Sequence, residues 1–180
     1  AYTEISNQVL NKISSLKTSP GIAAIAKMQN LDVTPTNWML ALESINDPGN
    51  LGTIIRIADW YGINTIFCSS DCVDMFNPKV IQATMGSFLR LQIIYGDLGS
   101  LLKNKHVYAA TLNGKDLRTL HDVKPGVILI GSESNGLSPA LLKETKPLEV
   151  TIPRAGKAES LNAAIATAIF CERLSTLSVK

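Results

Sequence analysis

A chain of 180 residues, 46% of them hydrophobic and 18% charged, can bury one substantial core, which excludes extended disorder and favours one principal domain. A formal charge of +2 is too slight to argue for nucleic acid by itself, because phosphate binding needs a clustered basic surface. No apolar run is long enough to span a bilayer and no signal peptide is visible, so a soluble, cytoplasmic location is expected.

Residues 1–35 read apart from the rest. EISNQVLNKISSLK has the spacing of an amphipathic helix, GIAAIAKM reads as a strand after the breaker TSPG, and LDVTPTN is a linker. From Trp38 onward short apolar runs alternate with helical ones. WMLALESI, INTIFC, LRLQIIY, HVYAATL, VILIG and LEVTIP read as strands, several of them apolar on both faces. Between them, LGTIIRIADWYG, KVIQATMG, DLGSLLKNK, PALLKE and SLNAAIATAIFCERL read as helices. Such alternation predicts an α/β domain over residues 36–180 with a mostly parallel sheet flanked by helices.

Ligands of open α/β sheets lie beyond the carboxyl ends of strands. Four polar, glycine-bearing stretches follow predicted strands: NDPGNLGTIIR, TLNGKDL, GSESNGLS and PRAGKAESLN. Each is also readable as a tight turn with a helix cap, and in the last Glu159 and Ser160 would then simply start a helix. GSESNG lacks the Lys-Ser/Thr of a phosphate-binding loop, no G-x-G-x-x-G follows the first strand, and no G-x-S-x-G is present. Three cysteines, Cys68, Cys72 and Cys171, form no C-x-x-C pair and only His106 and His121 stand beside them, so neither zinc nor a disulfide framework is expected and no metal ligand is assigned. What remains is group-transfer chemistry with little use for histidine or metal.

In order, the chain carries Asn50-x-Gly52-x-x-x-Arg56, Gly131-x-Glu133-x-x-Gly136, and Ile152-Pro153 followed by Glu159-Ser160-Leu161-Asn162. This set resembles the three motifs of the SpoU/TrmH family of RNA ribose 2′-O-methyltransferases, in the SPOUT class, and NPKVIQATMGSFLRLQI looks like that family's segment between the first two. The resemblance covers about residues 38–175. Residues 1–35 are similar to the end of the small RNA-binding domain that precedes many such catalytic domains, which suggests a missing amino-terminal portion. The family implies S-adenosylmethionine as methyl donor, a homodimer and a carboxy-terminal deep trefoil knot, a rare exception among folds. The expected activity is methylation of a ribose 2′-hydroxyl, preferably in ribosomal RNA. Transfer RNA is the alternative substrate, and a noncatalytic RNA-binding module the alternative function.

By the same resemblance, Arg56, Asn50, Glu133, Ser160 and Asn162 are the catalytic candidates. The cofactor role falls on Leu112, Gly131, Ile152 and Leu161, with Thr111, Asn113, Gly114, Ile130 and Ala163 nearby. The apolar members are equally readable as ordinary core. A guanidinium offers five donors and holds its proton, so Arg56 is expected to bind the neighbouring phosphate and the developing alkoxide rather than act as a base. On a helix it is also readable as a surface charge paired with Asp59. Asn50 is expected to orient the RNA or Arg56, Glu133 to hold that arginine or the substrate, and Ser160 and Asn162 to reach ribose or phosphate, with capping and turn formation as the bland reading. The family suggests sites shared between subunits, and Trp60, Ile165 and Ile169 are readable either as that interface or as intrachain core. Two positions depart from the family pattern. Arg154 stands where an apolar residue, often Met, is common, and Ala158 where Val is frequent; Arg154 would reach RNA phosphate or alter the cofactor pocket.

Overall fold

The computed structural model describes residues 2–14, 18, 21–25, 27 and 33–177. Two compact units are present, Ala1–Asn30 and Leu31–Lys180. In the first, helix α1 (Asn7–Ile13) is capped by Ser6, whose hydroxyl accepts the Val9 N–H. It is shorter than the predicted segment, whose residues 15–17 lie outside the described ones. The strand expected at GIAAIAKM is not formed over 21–25 and 27; Ala26 and Met28 lie outside the described residues. Ile22 and Ile25 are exposed there. Strand propensity alone does not make a strand.

The second unit is built on six parallel strands in the order β3-β2-β1-β5-β4-β6. Their ranges are β1 Met39–Leu42, β2 Thr65–Cys68, β3 Gln92–Tyr95, β4 Val107–Asp116, β5 Val127–Ile130 and β6 Leu148–Thr151. All six fall where the apolar runs predicted them. The central strands β2 and β5 are buried at every residue, as a parallel sheet covered on both faces requires. Alternation sorts the side chains. Leu40, Leu42, Ile66, Ile128 and Ile130 enter one core cluster, and Ala41, Phe67, Val127 and Leu129 the other.

Helices α2 (Pro48–Trp60), α3 (Pro78–Thr84) and α6 (Ala163–Leu177) contribute to the first cluster; α4 (Leu98–Leu101) and α5 (Pro139–Thr145) contribute to the second. Three of them start by one device, a short polar cap followed by proline at the first helical position: Asp47-Pro48, Asn77-Pro78 and Ser138-Pro139. The side chain of each cap accepts a main-chain N–H of the first turn, from Asn50, Lys79 and Leu141 respectively. No helix among the described residues is long and apolar enough to cross a membrane.

Chain order along the sheet reverses between β1 and β5, so their onward connections diverge and leave a crevice at their carboxyl ends. Beside it, β4 does not stop at the predicted loop. It bulges out of register between Ala110 and Lys115 and then pairs again with β6. The bulge is Thr111-Leu112-Asn113-Gly114.

Candidate active site

Three of the candidate polar residues meet at this crevice. Asn50, in the first turn of α2, donates its Nδ2–H to the Glu133 carboxylate, and its Oδ1 accepts from Asn162 Nδ2 at 2.8 Å. Asn162 Oδ1 in turn accepts the N–H groups of Ala164 (2.9 Å) and Ile165 (3.3 Å), capping α6. Polarity propagates along this series. The helix amides require an oxygen from Asn162, which leaves its nitrogen to face Asn50, which leaves the Asn50 nitrogen for the carboxylate. One member comes from each motif, and the cap is Asn162 rather than Ser160. Ser160 and Glu159 are exposed and precede the helix.

Arg56 is not part of this series. It lies six residues beyond Asn50 on α2, which turns its side chain roughly 120° away around the helix axis. It lines an open groove with Thr53, Ile57, Asp59, Trp60 and Ser87. Asp59 is not its partner. Arg90 holds that carboxylate through both Nε and Nη2, the latter at 2.6 Å, and this pairing keeps Asp59 below its usual pKa. Glu133 is engaged by Asn50, and among the described residues Arg56 has no hydrogen bond or ion pair. Its five donors are available to a ligand.

The three loops assigned to a cofactor end neighbouring strands, β5, β4 and β6. The segment after β5 is very tight. Gly136 N–H donates to Ser132 O at 2.9 Å, and a Cβ on Gly131 would collide with the Gly136 carbonyl and lie 2.6 Å from Leu137 N. Gly136 itself has φ +64°, the left-handed region open to glycine. Gly114 is pressed as closely on β6, where a Cβ would meet Glu149 C at 2.5 Å and its O at 2.7 Å. Thr151 Oγ1 donates to Leu112 O at 3.2 Å, tying the root of the third loop to the bulge. Within that loop Arg154 Nη1 donates to Ala158 O at 2.9 Å, so this departure from the usual pattern closes the loop on itself.

The cofactor candidates divide by exposure. Leu112 and Leu161 are exposed, Ile152 is half-buried, and the side chains of Ile130 and Ala163 are packed in the core, which leaves only their main chain for a ligand. Asn113 is exposed. Thr111 Oγ1 is buried with no hydrogen-bond partner, the one such side-chain atom among the described residues. Such a hydroxyl is costly unless something arrives to bond it. Trp60, Ile165 and Ile169 are 84%, 53% and 37% exposed, so the intrachain-core reading of these three does not hold.

Sequence reasoning missed two supports. Asp71, after β2, accepts from Ser44 Oγ and Ser69 Oγ, each at 2.5 Å, and these bonds lower its pKa. Glu43, at the end of β1, accepts from Ser138 across 95 residues of sequence. No local pattern announces either.

Residues 37–172 match the SpoU rRNA Methylase family. The chain belongs to that family. It is 36% identical over 175 residues to an uncharacterized tRNA/rRNA methyltransferase of Synechocystis, covering 92% of this chain and 64% of the relative. It is 30% identical over 176 residues to RlmP of Bacillus subtilis, a 23S rRNA guanosine 2′-O-methyltransferase, covering 94% and 71%. Among solved structures, the AdoMet-bound rRNA methyltransferase of Sinorhizobium meliloti superposes with a TM-score of 0.73 at 35% identity, covering 82% of this chain and 59% of that one. The chain therefore spans about two thirds of the length of these SpoU relatives.

Proposed function

We propose that this SpoU-family chain carries the catalytic domain of an S-adenosylmethionine-dependent RNA 2′-O-ribose methyltransferase acting on ribosomal RNA. The observation that carries the reading is the bonded series Glu133, Asn50, Asn162 beyond the carboxyl ends of β1 and β5, with an unpartnered guanidinium on the same helix as Asn50. The residues fit the cofactor. Thr111 offers an orphaned buried hydroxyl, Gly114 and Gly131 let the loops after β4 and β5 pack closely enough to stay fixed, and Leu112, Leu161 and Ile152 supply apolar surface for a purine face. Leu112, Asn113, Gly114, Ile130, Gly131 and Ala163 would hold it chiefly through backbone. When bound, S-adenosylmethionine supplies an electrophilic methyl on a sulfonium.

The chain's own task is alignment and charge. Asn50, fixed on both sides, orients the incoming nucleotide; Ser160, exposed ahead of α6, bonds ribose or phosphate; Arg56 binds phosphate and stabilises negative charge growing on the 2′-oxygen. Since Arg56 turns away from the Asn50 series of its own chain, we assign it to the site of a second copy. Exposed Trp60, Ile165 and Ile169 supply apolar area for that homodimer. The same reading makes Ile152–Asn162 the threaded loop of a trefoil knot, and residues 1–35 the end of an RNA-binding domain. The relative RlmP acts on 23S rRNA by its name, which favours ribosomal over transfer RNA.

Mass spectrometry of 2′-O-methylated nucleosides after incubation with S-adenosylmethionine and each RNA tests the reading. Ribosomal RNA should gain the mark; transfer RNA alone gaining it would move the substrate, and no donor binding by calorimetry would favour a noncatalytic module. Arg56→Ala should abolish methylation and leave donor affinity intact, and a fully active variant refutes its role. Light scattering should show a dimer that Ile165→Lys dissociates; a fully active monomer argues against the shared site.

A further inference from the structure

The loop that carries Glu133 is held at both ends by one residue of another strand. Glu43 N–H donates to Ile130 O at 2.9 Å, immediately before the loop, and the Glu43 carboxylate receives Ser138 immediately after it. There Oε2 accepts the Ser138 N–H at 2.7 Å and Oε1 accepts the Ser138 Oγ–H at 2.6 Å. Ser138 Oγ keeps a lone pair for the Leu141 N–H, so it caps α5 and bonds Glu43 at once. The span from Gly131 to Leu137 is thereby closed to a fixed width by a single side chain and its own amide. Leu137, buried at 8% exposure in the second core cluster, anchors the same exit.

We propose that Glu43 is a positioning residue: by clamping Ser138 it sets the Gly131–Leu137 loop so that Glu133 stays against Asn50 and the Gly131 main chain stays at the cofactor face. Glu43 has no hydrogen bond to Glu133 or Asn50, so its bonded influence on them runs through the loop. A carboxylate suits the task, because two donors arrive on one residue and charge-assisted bonds are short and directional. Glutamine keeps one acceptor and turns the other contact into a donor that the serine hydroxyl can rotate to accept, so it should restore part of the clamp. Alanine removes both contacts.

This rests on the methyltransferase reading for its functional half, and the test separates the two. Hydrogen exchange is read at the Gly136 and Asn135 amides, which bond Ser132 and not Glu43. In Glu43→Ala these amides should exchange about tenfold or more faster, with Glu43→Gln in between. Val80→Ala, which opens a cavity at a fully buried position of α3, should lower Tm yet leave them unchanged. S-adenosylmethionine dissociation constants should rise about tenfold in Glu43→Ala, by a similar factor in Ser138→Ala, and little further in the double variant, as coupled partners behave. Unchanged exchange at Gly136 in both Glu43 variants overturns the proposal. Faster exchange in a protein whose unmodified form binds no S-adenosylmethionine keeps the clamp and sinks the cofactor reading instead.

Discussion

Replacing Asn50 with aspartate tests the bonded series with the smallest change of shape. The aspartate side chain keeps an oxygen for Asn162 Nδ2, so the 2.8 Å bond survives. On its other side the donor to Glu133 becomes a second carboxylate oxygen. Two unit charges at about 4 Å repel by about 1 kcal/mol in water and about 4 kcal/mol at the effective dielectric near a protein surface. Glu133 is exposed and Asn50 half-buried, which puts the repulsion toward the lower figure. A charge-assisted hydrogen bond is lost too, worth roughly 1.5–3 kcal/mol where water cannot replace it and less here. A destabilisation of about 2 kcal/mol is expected, and at roughly 2–4 °C per kcal/mol for a chain of this size Tm should fall by about 4–8 °C. Asn50→Ala loses both bonds without adding charge and should fall by less. Thermal unfolding of both variants at low salt and in about 1 M salt, where the screening length is near 3 Å, separates the terms. The aspartate deficit should shrink with salt and the alanine deficit should not. An aspartate variant as stable as the parent, or one indifferent to salt, refutes the assigned contact.

Gly131→Ala should cost about 1–3 kcal/mol through overpacking against Gly136 and Leu137 and should weaken S-adenosylmethionine binding in calorimetry, while Gly156→Ala, whose Cβ meets nothing within 4 Å, should leave stability unchanged. Thr111→Val removes an unsatisfied buried hydroxyl, so the variant should unfold at the same temperature as the parent or higher yet bind S-adenosylmethionine more weakly. Asp71 is held below its ordinary value of 3.8 by the Ser44 and Ser69 hydroxyls, so its contribution to stability is present above about pH 3.8 and is lost as pH falls through the lower folded value. Urea titrations at descending pH should therefore show the parent losing stability more steeply than Asp71→Asn in that acid window, and parallel curves would remove Asp71 from the account.

The strands were legible because each is a short run rich in apolar residues between turn signals, several of them apolar on both faces, and the crevice followed from where those runs end. Asn50, Glu133 and Asn162 stand out in the sequence as site residues, but their mutual bonding does not. It depends on tertiary approach, and Asn162 rather than Ser160 is the cap because α6 starts at Ala163, which puts Asn162 next to both its first amides and Asn50. Residues 21–25 and 27 illustrate the opposite limit, since apolar composition by itself does not produce a strand. α4 closed after Leu101, short of the predicted segment, and TLNG became a bulge within a strand rather than a loop. Glu43 lies unremarked within the predicted strand run WMLALESI, and only the arrival of Ser138 shows what its carboxylate is for.

The sequence distances within the Asn50 series bear on how the protein is made. Asn50 meets Glu133 83 residues later and Asn162 112 residues later. At synthesis rates of about 5–20 residues per second, β1 and α2 wait several seconds before their last partner leaves the ribosome. Contacts of such separation form late in folding, after local helices and neighbouring strands. Translation products that end just before Asn162 would hold all six strands and the Asn50–Glu133 pair but neither the Asn162 bond nor α6, so a stalled or truncated chain should be inert rather than partly active.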